Sequence, residues 1–112
     1  VVYELMANNY KNAKVDLTST SPTVLYTAPS STTTIVKSIL VSEDSGNADT
    51  ITLTLTNSAS AVFSLFKVKA VSANATVELL TGPLVVEESE ILKVTAATAN
   101  RLHVTASILE IS

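Results

Sequence analysis

The fold of this chain is decided by the stretch Thr50-Ile51-Thr52-Leu53-Thr54-Leu55-Thr56. Side chains of an extended strand alternate between the two faces of a sheet. The isoleucine and the leucines of this stretch therefore share one face, and the threonines share the other. This alternation predicts a half-buried β-strand whose outer face is lined with threonine.

The same period of two recurs along the rest of the chain, and no segment shows sustained helical spacing of apolar residues. Turn residues such as Pro22, Pro29, Gly46 and Gly82-Pro83 separate the segments. About eight strands are predicted, over residues 13–17, 23–28, 32–43, 50–56, 61–71, 75–81, 91–96 and 102–111. A short extended piece at residues 84–86 suits the edge of a sheet.

This spacing of strands and turns predicts an all-β, single-domain antiparallel β-sandwich. Jelly-roll-like and immunoglobulin-like strand orders both fit the pattern, and a barrel is a further alternative. The 112 residues match the size of one domain. Residues 1–14 have little periodicity and several asparagines, which predicts an N-terminal arm that is ordered only against a neighbour. The sandwich domain then covers residues 15–112.

Two of the predicted strands are apolar on both faces. The strand at residues 32–43 is therefore expected to be covered on two sides, or to lie at a subunit contact. The first half of the strand at residues 61–71 has Phe63 and Leu65 on one face and Phe66 on the other, which predicts burial on both sides. Further along that strand, Lys67 and Lys69 either guard a sheet edge or face acidic residues of a partner subunit.

The composition excludes several classes of function. Charged residues make up 15% of the chain, against about 25% in typical globular domains, so a neutral, hydroxyl-rich surface is expected. A net charge of −3 and 4% aromatic residues argue against a nucleic-acid partner. The chain has no cysteine, which excludes disulfides and thiolate metal sites. No apolar run is long enough to span a bilayer, and Val1–Leu5 lacks the pattern of a secretion signal.

His103 is the single histidine, and it lies on the polar side of the last predicted strand, beside Arg101 and Thr105. A general base would need a nucleophile and an orienting carboxylate, and the sequence places neither nearby. We therefore expect a structural histidine that is exposed or hydrogen-bonded. The chain is predicted not to be an enzyme and to have no catalytic residues.

Two clusters of oxygen-bearing side chains also invite a functional interpretation. The loop at residues 43–49 is rich in oxygen ligands, but its spacing does not match an EF-hand, and a polar hairpin turn that bonds to its own backbone is expected. Glu87, Glu88 and Glu90 are adjacent on one predicted loop, which indicates a solvated acidic turn rather than a glycosidase pair. No metal-binding or cofactor-binding residues are predicted.

Several segments resemble small β-rich virion proteins of tailed bacteriophages, particularly the marine, cyanophage type. The resemblance covers roughly residues 15–111 and is carried by Leu25–Pro29, Thr33–Val41, Thr50–Leu55, Leu84–Glu87, Ile91–Val94 and Leu102–Ile111. It implies a structural protein without catalytic residues, located in the virion after synthesis in the host cytoplasm. Within that class, the resemblance points first to a head decoration or cement protein.

The expected partners are the major capsid protein or other virion proteins, together with further copies of this chain. Strands with few charges and threonine-lined faces can pack against copies of themselves, and the resemblance favours a trimer. A tail, neck or fibre component is the first alternative. A carbohydrate-binding module is the second, although such modules display aromatic platforms and this chain has no tryptophan and only Tyr3, Tyr10 and Tyr26.

Overall fold

The computed structural model describes residues 7–112, and these form nine β-strands and no helix. The strands are β1 (Asn8–Asp16), β2 (Thr23–Thr27), β3 (Thr33–Glu43), β4 (Asp49–Thr56), β5 (Val62–Val71), β6 (Thr76–Glu78), β7 (Leu84–Val86), β8 (Ile91–Ala96) and β9 (Leu102–Ile111). Each predicted segment overlaps one of them, although β1 begins at Asn8, ahead of its predicted start at residue 13, and the short piece at residues 84–86 is β7. Within the described range, no helix has the length and apolar character needed to cross a membrane.

The strands form two sheets in which every pairing is antiparallel. The first sheet has the order β1-β9-β3-β6, with β7 also paired to β3, and the second has the order β2-β8-β4-β5. Strand β6 pairs with residues 40–42 of β3, and β7 pairs with residues 34–36. The two short strands therefore act as one interrupted edge strand.

With β6 and β7 counted as one strand, the chain is a long hairpin that has been rolled up. The first strand pairs with the last, the second with the last but one, and β4 with β5 at the tip of the hairpin. Successive arms of this hairpin lie alternately in the two sheets, which is the topology of a jelly roll. The predicted β-sandwich is confirmed, and the strand order selects the jelly roll over the immunoglobulin-like and barrel alternatives.

The core lies between the two sheets and is built from the inward faces of the strands. In β4, Ile51 and Leu53 are fully buried, whereas Thr50, Thr52 and the following threonines are half-exposed on the outside, as predicted. The facing sheets contribute further fully buried side chains: Leu17, Val36, Ile39, Val41, Val86, Leu92, Val94, Leu102, Val104 and Ala106. Each large apolar side chain removed from water in this way contributes about 1.5–3 kcal/mol.

Strand β3 is covered on one side only. Its inward residues, among them Val36 and Ile39, are fully buried, but Leu40 on the outer face is exposed and Ile35 is half-exposed. Two-sided burial within the chain was one of the predictions for this strand, and it is wrong because nothing in the described chain packs on the outside of the first sheet. The alternative, a subunit contact, stays a prediction.

The first three residues of β5 are exposed, and Leu65 and Phe66 are only half-buried against the core, so the prediction that its first half is buried on both sides is wrong. Val62 is 62% exposed and Phe63 is 52% exposed. The reason is position: β5 is an edge strand of the second sheet, and its first residues lie beside the turn at the hairpin tip. Alternating apolar residues specify the faces of a strand but do not reveal whether a neighbouring strand covers them.

Two register shifts interrupt the pairing of β5 with β4, one beside Leu65 and one beside Val68. Val68 has a φ of 54°, which is rare for a β-branched residue, and its N–H donates to Thr52 Oγ1 at 3.1 Å. Bulges and exposed lysines disfavour the addition of a further strand. Lys67 and Lys69 are both exposed on this edge, which fits the edge-guarding interpretation, and their pairing with a partner subunit stays a prediction.

The N-terminal part of the described chain is an edge strand of the first sheet. Strand β1 pairs with β9 within the same chain over nine residue pairs, from Asn8 opposite Ile111 to Asp16 opposite His103. The predicted boundary of the arm at residue 14 falls inside this strand. The first part of the predicted arm, residues 1–6, lies outside the described residues.

Candidate interaction surface

Four apolar side chains from four strands line up across the outer face of the first sheet. They are Tyr10 of β1, Leu109 of β9, Ile35 of β3 and Val85 of β7, and we call them the apolar row. The strand register places each opposite the next. Their chain neighbours Ile108 and Val36 point into the core, so the row faces outward, because consecutive side chains of a strand alternate between faces.

The ends of the apolar row are open to solvent and its middle is more protected. Tyr10 is 69% exposed and Val85 is 53% exposed, whereas Leu109 is only 8% exposed. Lys37 of β3 reaches across β9 and places its Nζ 5.4 Å from the centre of the Tyr10 ring. This cation–π contact lays the lysine stem over the middle of the row. Nothing else in the described chain covers the row.

A polar cluster occupies the other end of the same face, around His103. Its Nε2 lies 3.2 Å from Asp16 Oδ1, and its Nδ1 lies 3.5 Å from Asp44 Oδ2. The sequence places no carboxylate close to this histidine along the chain, and the expectation that none lies beside it is wrong. Strand pairing brings Asp16 opposite His103, and the loop after β3 brings Asp44, so the contacts depend on the tertiary fold.

The His103 cluster does not form a catalytic or metal-binding arrangement. Ser42 lies opposite His103 in the ladder, but both imidazole nitrogens face carboxylates, so neither is free to take a proton from the hydroxyl. Asp16 and Asp44 approach different nitrogens of the ring. Among residues 7–112, no group of three or more histidine, aspartate or glutamate side chains is arranged to hold a metal.

The loop predicted as a polar hairpin turn connects the two sheets, since β3 and β4 belong to different sheets, so it is not a hairpin. The conformation of this loop is stabilised by the buried carboxylate of Glu43. This group accepts hydrogen bonds from the backbone N–H groups of Ser45 at 2.7 Å, Gly46 at 3.0 Å and Asn74 at 3.0 Å, and from the Ser45 hydroxyl. Glu43 thus joins this loop to the turn after β5.

Burial alone would raise the pKa of Glu43, but its hydrogen bonds outweigh that effect and lower the pKa from 4.5 to about 2. The ionised carboxylate therefore stabilises the fold above pH 4.5, and this contribution is lost as the pH falls from 4.5 through 2. Glu43→Gln is expected to melt at a lower temperature at pH 7 and to lose less stability in that acid window.

Melting temperatures measured by circular dichroism between pH 7 and pH 2 would check this prediction. Glu87→Gln is the matched control, since it removes an exposed carboxylate and is expected to follow the wild type at each pH. The pKa values of Glu78 and Glu110 are also lowered, so part of the acid sensitivity remains in the Glu43 variant. An unchanged pH profile in that variant would contradict the assigned role of Glu43.

In the acidic turn between β7 and β8, two carboxylates accept hydrogen bonds from backbone N–H groups. Glu88 accepts a hydrogen bond from the N–H of Ser31 at 2.6 Å, and Glu90 accepts one from the N–H of Glu87 at 2.8 Å. The turn is exposed, as predicted. The contact with Ser31 ties it to the loop between β2 and β3, which sequence spacing alone does not reveal.

A second polar cluster bridges the two sheets inside the sandwich. Tyr26 of the second sheet donates its hydroxyl to Glu110 Oε2 at 2.5 Å and lies 2.8 Å from Thr34 Oγ1, both in the first sheet. Burial and the Glu110 contact raise the pKa of Tyr26 to about 12. The Tyr26 hydrogen bond lowers the pKa of Glu110 against burial, helped by Lys11, whose Nζ lies 3.4 Å from the carboxylate.

The described aromatic side chains do not form a common platform. Tyr26 is in the core. Tyr10 and Phe63 are exposed, but Tyr10 belongs to an edge of the first sheet and Phe63 to the opposite edge of the second. Tyr3 lies outside the described residues. Phe66 shares β5 with Phe63 but is half-buried against the core. The exposed rings among residues 7–112 are thus Tyr10 and Phe63, which lie on different sheets and do not form a flat sugar-binding surface.

Comparison with known proteins identifies no family. No family model matches the chain, and no curated protein matches it. A chain in a solved structure of infectious bursal disease virus, Gt strain, is similar in fold with a TM-score of 0.47 and 8% identity, over 96% of this chain and 32% of that chain. The present chain thus spans about a third of the length of that chain. At this TM-score the likeness carries no argument about function.

Proposed function

We propose that this chain is a non-enzymatic structural subunit of a virion, most specifically a decoration or cement protein on a phage head, that assembles with copies of itself. The observation that carries the proposal is the apolar row, which lies on a sheet face that the described chain leaves uncovered. Exposed apolar side chains grouped on one surface mark sites of association. The sequence resemblance to phage virion proteins is the reason for placing this structural role in a phage particle.

A second apolar patch on the same chain supports another copy of the chain as the partner that covers the apolar row. Val62, Phe63 and Val68 are each exposed along β5, the edge strand of the second sheet, and we call this apolar edge the β5 patch. The apolar row and the β5 patch lie on different sheets. Contact between unlike patches of neighbouring copies is heterologous and closes into a ring when the rotation allows, which is compatible with the proposed trimer.

A charge placed in the apolar row is expected to weaken this association. Val85→Asp introduces a carboxylate into the row, where desolvation on contact is costly, and at least a tenfold rise in the dissociation constant is expected. Val24→Asp is the matched control, because Val24 is 49% exposed against 53% for Val85 and lies outside both patches. Native mass spectrometry and light scattering over a concentration series would give mass and affinity.

The control is expected to assemble like the wild type, and both variants should unfold at nearly the same temperature as isolated domains. If the Val85 and Val24 variants assemble equally well, the apolar row is not part of the interface between copies. A wild-type chain that stays monomeric at every concentration would contradict the proposed function itself.

The number of copies per particle distinguishes the possible positions of this protein on the particle. A head decoration protein is expected in amounts comparable to the major capsid protein, whereas a tail, neck or fibre component is present in few copies. Quantitative mass spectrometry of purified source particles would separate these alternatives. A carbohydrate-binding module is the remaining alternative, since jelly rolls also occur in lectins and Tyr10 is exposed, and selective binding on a glycan array would favour it.

A further inference from the structure

Strand β1 is paired with β9 along its whole length but buries no side chain completely. Seven of its nine side chains are exposed, and only Ala13 and Val15 are half-buried against the core. Its partner β9 is a central strand with a mostly buried inner face. Detaching β1 would break the ladder to β9 but would open no cavity in the core, so β1 is held mainly by hydrogen bonds of the kind that any matching strand can supply.

The core anchors the chain directly after β1. Leu17 is fully buried, its N–H donates to the carbonyl of Leu102 at 3.0 Å, and its carbonyl accepts from Asn100 at 2.8 Å. The detachable piece therefore ends at Asp16, and the pivot lies between Asp16 and Leu17. At about 3.3 Å per residue, the nine residues of β1 reach about 30 Å from that pivot.

Charged groups near both ends of the ladder set its register. Lys11 lies 3.4 Å from Glu110, and Asp16 lies 3.2 Å from His103. A second copy of this chain presents the same carboxylate, imidazole and strand edge at the same spacing. The groups that recognise β1 are thus present on β9 of every copy, so a second copy of this chain can bind β1 without any other partner.

We propose that β1 is exchanged between copies in the assembly, so that it pairs with β9 of a neighbouring copy in the register seen within one chain. This inference rests on the proposed function, since exchange needs copies that are held together. The contacts within and between copies are the same, so exchange costs little in contact free energy. The proximity of copies in the assembly gives a high effective concentration, which allows pairing between copies to compete with pairing within one chain.

The ladder offers a site for a disulfide that reports the exchange. Asn12 and Ser107 lie opposite each other and are both exposed. The bonds from Leu17 N to Leu102 O and from Ser112 N to Ala7 O place this pair at a non-hydrogen-bonded position, where Cα atoms are about 4.5 Å apart. That separation suits a disulfide, and the chain has no other cysteine.

The test uses two full-length single variants, Asn12→Cys and Ser107→Cys, refolded together and oxidised at a concentration where the protein is oligomeric. A disulfide between positions 12 and 107 can then form only between chains. We expect a covalent dimer on a non-reducing gel and the linked 12–107 peptide in its digest. The control is the double variant in one chain, diluted to the monomer, which is expected to close the same disulfide internally.

The proposal is overturned if the mixture gives no 12–107 link while the diluted double variant closes its disulfide. This outcome leaves the proposed function intact when the same mixture is oligomeric by light scattering, since the copies would then associate without exchanging β1. Monomers at every concentration would instead contradict the proposed function, and the exchange with it.

Discussion

Leu53→Ala is expected to lower the free energy of unfolding by about 2–5 kcal/mol, the range for leucine-to-alanine changes in protein cores. Leu53 is fully buried in the central part of β4 and is paired with Val94 on one side and Phe66 on the other. Removing its side chain loses apolar burial and leaves a cavity between the two sheets. Urea denaturation followed by circular dichroism would measure the change.

The neighbouring residue provides the matched control for Leu53. Thr54 lies on the outer face of the same strand, between Lys93 and Ser64, and Thr54→Ala is expected to cost less than about 1 kcal/mol. Similar losses in the two variants would contradict the assignment of inner and outer faces in β4, and with it the interpretation of the threonine pattern.

Tyr26→Phe is expected to lower the free energy of unfolding by about 1–3 kcal/mol, the cost of leaving a buried polar group without its partner. The Tyr26 hydroxyl has one proton, which it donates to Glu110, so the fully buried Thr34 hydroxyl donates to Tyr26. Phenylalanine fills nearly the same space but leaves the Thr34 hydroxyl without its acceptor and removes one donor from Glu110 Oε2, which keeps its contact with Lys11. Thermal and urea unfolding would give the loss.

Thr34→Val in the Tyr26→Phe background is expected to recover part of this loss, because it removes the hydroxyl that the first substitution leaves unpaired. A double-mutant cycle over these two positions measures the coupling. Losses that simply add, with no coupling between positions 26 and 34, would show that the two hydroxyls do not depend on each other, contrary to the bridge described between the sheets.

The strands and their inward faces are readable from the sequence wherever local alternation coincides with burial. β4 is the clearest case, since its threonines and its aliphatic residues separate onto two faces as predicted. β5 has equally apolar residues, but it lies at an edge and contains two bulges. Edge position depends on how distant segments pair, and that pairing is not encoded in the period of a single strand.

The candidate surface was only partly foreseeable, for the same reason. The apolar outer face of β3 is the one local signal, and it fits either two-sided burial or a subunit contact. Tyr10 lies outside any predicted strand, and it joins Ile35 only because β9 is inserted between β1 and β3. The carboxylates beside His103 come together through the same insertion, so composition and spacing could not place them.

The rolled hairpin also sets the order in which a newly made chain can fold. β9 follows every other strand in the sequence, yet it lies between β1 and β3 in the first sheet. A nascent polypeptide on the ribosome therefore holds β1 and β3 without the strand that joins them until β9 has emerged. Folds dominated by such distant pairings form slowly, in milliseconds to seconds. During translation, the first sheet can thus close only after all strands of the second sheet have been made.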